Sequence, residues 1–369
     1  MAETIYDAAI IGAGPAGATA AILLARKGRQ IVLIDREKAG HAVPCAGWLS
    51  ARAKNLLDEI GCTFPDGCVT PFSQVTFYNA DCTRSATPKL EGPIGYLVDR
   101  TRFDAALTQH AVSLGAVLLL GEEARDVRLS EAQVTIKLTA SAIQSRLLVL
   151  ATGRVQELAS RVGFSPRGSD VPTWVAQVAA PNESKEAQAH VAVILGLDSR
   201  GSFGFCAQNK DRCTLSVNFV GEATQAIPTL VQLCKVAVAQ GLMPRDLSSL
   251  AAQTKPIRCP AGWALDLDTH VAKHTLLVGD AGGFVAAASN EGIYPAMWSA
   301  KVAADVIDKA LGSPYSQDEL MTFDTQWRMQ IADHLRSPHT DIRFLLPLIF
   351  SNQAMADRMA AAFFFGENI

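Results

Sequence analysis

Gly12-Ala13-Gly14-Pro15-Ala16-Gly17 sets three glycines at the spacing G-x-G-x-x-G, directly after the apolar run Ala8-Ala9-Ile10-Ile11 and before a second apolar run. Between a strand and a helix, this spacing makes a cradle for the diphosphate of a dinucleotide. Gly12 supplies the tight turn, Gly14 lets the backbone approach the diphosphate, and Gly17 lets helix and strand pack closely. The helix opening at Pro15 and Ala16 offers free N–H groups and positive potential. Asp35 closes the next apolar run, roughly 20 residues on, where a carboxylate accepts hydrogen bonds from ribose hydroxyls. Arg36 follows it.

The same fingerprint serves more than one dinucleotide, and the residues that separate them lie far downstream. In Leu276-Leu277-Val278-Gly279-Asp280-Ala281-Gly282-Gly283 an acid stands at a strand end with small residues opening the next turn, and Gly292-Ile293 precedes an alanine-rich helix. This arrangement suits the longer cofactor, FAD. Asp280 is placed to bond ribityl hydroxyls, and the helix N-terminus at Gly292 and Ile293 faces the flavin's pyrimidine edge, where reduction puts negative charge. Thr152-Gly153 ends another apolar strand in a turn where backbone must pass close to something.

Together with Asp35-Arg36, Pro44-Cys45-Ala46-Gly47, Val98-Asp99-Arg100 through Phe103-Asp104, and Glu291-Gly292-Ile293, these segments make the chain similar, over most of its length, to a flavoprotein family. That family contains geranylgeranyl reductases and aromatic-ring hydroxylases and has the para-hydroxybenzoate hydroxylase-like fold. The resemblance implies that Arg100 contacts the cofactor; read by itself, it is a solvated arginine beside a Thr101-x-x-Asp104 capping box. It also implies that Cys45 and Ala46 lie against the flavin, as in the reductase branch. There a thiol can donate a proton opposite hydride delivery, tune the flavin electrostatically, or fill a small gap. The match has departures. Ala46 replaces a glycine, Trp48 replaces a small residue, Ala151-Thr152-Gly153-Arg154 lacks the usual Asp-Gly, and Gly201-Ser202-Phe203-Gly204-Phe205-Cys206-Ala207 lacks the aromatic and Phe-Pro motif of the lipid pocket.

The elements that must position these residues are set by periodicity. Residues 6–11, 31–34, 116–120, 147–151 and 275–278 read as buried strands, 17–27 and 103–114 as helices. Residues 74–79 and 83–87 read as short strands about an Asn-Ala-Asp turn, and 173–179, 190–195 and 213–220 suit an antiparallel sheet. A helix is expected over 227–240. Ser316 with Glu319 forms a capping-box signature opening a long C-terminal helix, and Pro338 and Pro347 punctuate the chain beyond it. The expected fold class is α/β with an α+β insert. A discontinuous Rossmann-type domain (1–72, 96–155 and 270–312) carries the cofactor. A mixed, largely antiparallel sheet domain (73–95 and 156–269) binds substrate, and C-terminal helices (313–369) complete the chain. Trp174, Phe203, Phe205 and Phe219 fall in the presumed sheet and serve either a substrate cavity or the core.

Composition narrows the function. Thirty-three lysines and arginines balance 36 acidic residues with no basic block, which argues against nucleic acid. Eight cysteines include no C-x-x-C pair, no serine elbow is present, and His270 and His274 flank a strand and are expected on the surface, so neither metal nor hydrolase chemistry is indicated. The uncharged stretch 8–25 is broken by glycines and preceded by Asp7, unlike a membrane span, and a cytoplasmic protein is expected. The apolar runs 344–350 and 359–365 suit either a packed helix or peripheral membrane contact. The expected function is an FAD-dependent oxidoreductase that takes hydride from NAD(P)H or another reductant and reduces a C=C bond of an apolar, lipid- or prenyl-like small molecule. The alternatives are an FAD-dependent monooxygenase and a non-catalytic flavin-binding or electron-relay protein.

Overall fold

Ala8, Ala9, Ile10 and Ile11 are buried on both faces because the strand Ile5–Ile11 runs through the middle of a parallel sheet, where no side of a strand meets water. The computed structural model describes residues 4–41, 43, 45–165, 172–182, 189–259, 262–336 and 342–367; Pro44 and Pro338 lie outside the described residues. Across this sheet the order is Val271–Ala272, Thr275–Leu277, Ala142–Leu150, Ile5–Ile11, Ile31–Asp35 and Val117–Leu120. Only the first pair is antiparallel, and the strands Val134–Lys137 and Asp126–Leu129 fold back from Ala142–Leu150 as an antiparallel extension. Ile11 pairs with both Ile34 and Leu150, and Leu150 pairs with Leu277. The C-terminal ends of four strands are therefore level. Gly12, Asp35, Ala151 and Val278 all emerge at one edge, the place where open parallel sheets bind ligands.

A second sheet runs Ile257–Cys259, Thr173–Pro181, Arg212–Val220, Phe203–Gln208, His190–Ile194, Val75–Tyr78 and Ser85–Ala86. It is antiparallel except where Val75–Tyr78 meets His190–Ile194. A three-stranded sheet, Trp48–Ser50, Gly95–Val98 and Val69–Phe72, lies between chain segments of the other two. The helices Pro15–Arg26 and Ile293–Gly312 share one hydrophobic core with the first sheet, and Ser316–Leu335 adds Phe323, Trp327 and Ile331 to it. The last helix, Gln353–Phe365, instead buries Met359, Phe363 and Phe364 with Trp48, Phe72, Phe203 and Phe205.

Three local expectations are corrected. The helix expected over 103–114 starts earlier, as Arg100–Ser113, and is capped by Asp99, whose carboxylate accepts from the N–H groups of Thr101 and Arg102; Thr101 caps nothing. Ser316 is the first residue of Ser316–Leu335 and makes no capping bond, the preceding Tyr315 holding the N-cap position. His270 is fully buried (0% exposed), not a surface residue, because Ser316–Leu335 packs over the edge hairpin that carries it. Its ring meets Phe284 and Trp327 at centroid distances of 4.8 and 5.0 Å. His274, half-buried with φ +56°, donates its backbone N–H to Gln317. Among the described residues no helix is long and apolar enough to cross a membrane, and no cluster of three His, Cys, Asp or Glu is placed to hold a metal. Phe344 is 75% exposed.

Candidate active site

The glycine turn is built by steric exclusion. Gly12 has φ +104°, and a side-chain carbon there would collide with the Ala151 carbonyl; one at Gly17 would collide with the Gly12 carbonyl. Gly14 differs, since a carbon added there meets no protein atom within 4 Å. The protein leaves that space to something else. Asp35 braces the turn from the neighbouring strand, accepting from the backbone N–H of Ala13 at 2.6 Å and of Glu37 at 2.8 Å. Gly153, with φ +60°, lines the same opening, and a carbon added there meets no protein atom within 4 Å.

The second acid sits at the other end of the opening. Gly279 takes φ +62°, donates its N–H to Ser299 Oγ at 3.0 Å, and packs against Ala16 and Ala296, so it sets the turn from behind. Asp280 follows in a one-turn helix, and a carbon added at Gly292 would lie 3.3 Å from its Oδ1. Its carboxylate therefore stands at the N-terminus of Ile293–Gly312, and among the described residues it has no hydrogen-bond partner. Burial raises its pKa above the ordinary carboxylate value, and Arg100 and Arg154 oppose that shift.

Arg100 is not solvated. Its Nε and Nη2 each donate at 2.9 Å to the carboxylate of Asp104, the fork geometry that suits guanidinium and carboxylate best. Burial opposes its charge, but Asp104 and then Cys45 outweigh it and raise the pKa. Cys45 is half-buried; its N–H donates to Gln177 Oε1 of the second sheet at 2.8 Å, and its Sγ lies 3.4 Å from the N–H of Gly47. The bond to Gln177 ties the Cys45-Ala46 segment to the second sheet.

One cavity of about 1030 Å³ collects Gly12, Gly14, Pro15, Ala16, Asp35, Arg36, Cys45, Ala46, Arg100, Gly153, Asp280, Gly292 and Ile293. Gly17 and Gly279 do not line it; they permit the packing that shapes it. Phe203 and Phe205 face the cavity, while Phe219 and Trp174 belong to the core on the opposite face, Trp174 donating its Nε1–H to the Gly221 carbonyl at 2.9 Å. The parity of the strands decides this, because neighbours in a strand point to opposite faces. Sequence reasoning missed Ser216, Asn218 and Phe363, which also line the cavity. The i, i+2 spacing of Ser216 and Asn218 in an otherwise apolar strand was the available signal. It also missed the backing of Glu291. This buried cavity residue has Oε2 3.3 Å from His334 Nε2, while Arg52 Nη1 lies 3.3 Å from His334 Nδ1. A guanidinium only donates, so Nδ1 accepts, and in the neutral ring the proton sits on Nε2 facing Glu291.

These features fit an extended dinucleotide: an open space above Gly14, an unpartnered carboxylate at Asp280, and a continuous cavity between them. A family model described as "FAD binding domain" matches residues 5–234 of the chain. Protein FixC of Escherichia coli K12 is 27% identical over 387 residues, covering 96% of this chain and 88% of FixC. Among solved structures, a geranylgeranyl bacteriochlorophyll reductase-like protein from Thermoplasma acidophilum superposes with a TM-score of 0.72 at 16% identity, covering 99% of this chain and 98% of its own. PqsL of P. aeruginosa, in complex with 2-aminobenzoylacetate, superposes with a TM-score of 0.68 at 17% identity, covering 96% and 99%. At these identities the two structures show a shared fold.

Proposed function

The chain belongs to the FAD binding domain family and is an FAD-dependent oxidoreductase, and from that premise we propose that it reduces a C=C bond of an apolar small molecule. Bound FAD supplies hydride transfer from a reduced donor, NADH, NADPH or another reductant, to the substrate. Asp280 would accept from the ribityl hydroxyls, and the helix N-terminus at Gly292 and Ile293 would stabilise negative charge on the ring edge. Cys45, in the cavity beside Arg100, is the candidate to hold or deliver a proton. The observation that carries the apolar substrate is the wall of Trp48, Phe203, Phe205 and Phe363, rings that line the cavity away from the glycine turn. Phe363 comes from the last helix and keeps water from that side.

A monooxygenase acting on an aromatic molecule is the second reading, favoured by the aromatic rings that line the cavity. The two separate in one experiment. Anaerobically reduced protein mixed with a panel of unsaturated apolar compounds should be reoxidised without oxygen if it is a reductase. Reoxidation that requires oxygen and consumes it in a substrate-stimulated manner would replace the first reading with the second.

A further inference from the structure

Glu291 is fixed through its backbone and left open at its side chain. Asn290 before it takes the left-handed conformation (φ +54°), and the chain then enters Ile293–Gly312 through Gly292. The Glu291 N–H donates to Ser289 Oγ at 3.3 Å, and its carbonyl accepts from the Ala286 N–H at 2.9 Å. The residue is 4% exposed and lines the cavity, and among the described residues its Oε1 has no hydrogen-bond partner. Its Oε2 lies 3.3 Å from His334 Nε2, but that nitrogen is not aligned to bond it. Native proteins rarely bury a carboxylate so poorly satisfied without a use for it.

His334 is poorly placed to take a second proton. Arg52, from the helix Ala51–Glu59, faces its Nδ1; Tyr294 meets the ring edge-on at 5.1 Å, and a carbon added at Gly366 would collide with it. An imidazolium would need an N–H at Nδ1, against a guanidinium that can only donate. Two other titratable groups stand near Glu291. Burial raises the Tyr294 pKa, with Arg52 opposing and Glu291 adding to the shift, so that phenol stays neutral. Asp280 lies across Gly292, where burial opposes its charge and Arg100 and then Arg154 support it. Glu291 has only an imidazole beside it, and is the acid on which a further proton would settle.

We propose that Glu291 is the proton acceptor coupled to reduction of the cofactor: its carboxylate is ionised while the flavin is oxidised and takes up one proton when the flavin is reduced. This rests on the reading of the chain as FAD-dependent, with the ring edge at the N-terminus of Ile293–Gly312. A nicotinamide donor gives up hydride, two electrons and one proton, and leaves oxidised. The negative charge gained at the ring edge beside Gly292 disfavours a second one on Glu291. A buffer acid then loses a proton, which forms an O–H bond at Oε1, and it returns to solvent when hydride leaves the ring.

The test is spectroelectrochemistry of FAD-loaded protein from about pH 5 to about pH 7, where an ordinary carboxylate is ionised. A two-electron couple moves by about 30 mV per pH unit for each proton taken up. The parent should slope at about 60 mV per pH unit, for two protons, and Glu291→Gln at about 30 mV, for one. The variant keeps the shape of the side chain without its charge, so its potential should lie above the parent's at the alkaline end and meet it toward acid pH. Infrared difference spectra of the parent, which depend on no variant, should gain the C=O band of a protonated carboxyl on reduction. Equal slopes in parent and variant, or no such band in the parent, would overturn the assignment. Protein without reducible FAD fails the oxidoreductase reading and this proposal with it; reducible FAD with a one-proton slope in the parent loses the role of Glu291 alone.

Discussion

Gly12, Gly14 and Gly17 look equivalent in the motif, yet they answer to different constraints. Gly12 and Gly17 are held by neighbouring backbone, so a side chain at either displaces the turn itself; Gly14 has room on the protein's side. Gly14→Val should therefore fold with a melting temperature near the parent's but purify colourless, because the valine fills the space the diphosphate needs. Yellow Gly14→Val protein with normal FAD content would place the diphosphate elsewhere. Asp280→Ala should leave the fold intact and weaken FAD by roughly one to two orders of magnitude, the worth of charge-assisted bonds at about 1.5–3 kcal/mol. Fluorescence titration of apoprotein measures it, and normal affinity with no turnover would make Asp280 catalytic instead. For Cys45, stopped-flow on Cys45→Ser and Cys45→Ala should show unchanged FAD content and a slowed reaction of reduced enzyme with substrate. Parent rates in both would reduce the thiol to packing.

At the scale of elements, the helix Ser316–Leu335 holds the turn that presents Asp280. Asp324 accepts from the His270 backbone N–H at 3.0 Å and from the Thr269 hydroxyl at 2.5 Å, and the His270 ring reaches the Gly282 carbonyl at 2.8 Å. Burial pushes the Asp324 pKa up, but the bonds from His270 and Thr269 outweigh it and hold the carboxyl well below the usual range. A depressed carboxylate stabilises the fold above its unfolded pKa of about 3.9, and that contribution is lost as pH falls toward the folded value. Asp324→Asn should accordingly lower stability by about 1–3 kcal/mol near neutral pH. The gap in melting temperature from the parent should narrow below about pH 4, and a gap that stays constant through acid pH would show that the charge contributes nothing. The existence of this helix was read from the residue types of Ser316 and Glu319. Its cap was not, because Ser316 and Glu319 carry the right residue types one position inside the helix that forms.

At the scale of the whole molecule, the cavity exists only where the parallel-sheet edge, the second sheet and the last helix meet. Phe363 closes it from a helix far along the chain, so Phe363→Ala should destabilise by about 3–5 kcal/mol, as large-to-small core substitutions do. It should also make bound flavin more accessible to iodide quenching; unchanged quenching would mean that the last helix does not shield the ring. Much of the parallel-sheet side of the cavity was readable from the sequence: the glycine turn, Asp35, Asp280 and the helix at Gly292 all come at or directly after strand ends or short turns, and local spacing dictates what a strand end presents. The buried state of His270, the pairing of Arg100 with Asp104, and the contrast between Phe203 and Phe219 were decided by tertiary structure. Each depends on which face another element covers, and composition and periodicity leave that choice open. Asn218 belongs to the same class: as a residue type it suits a turn or a surface, and only the register that sets it between Val175 and Phe203 puts it in the cavity wall.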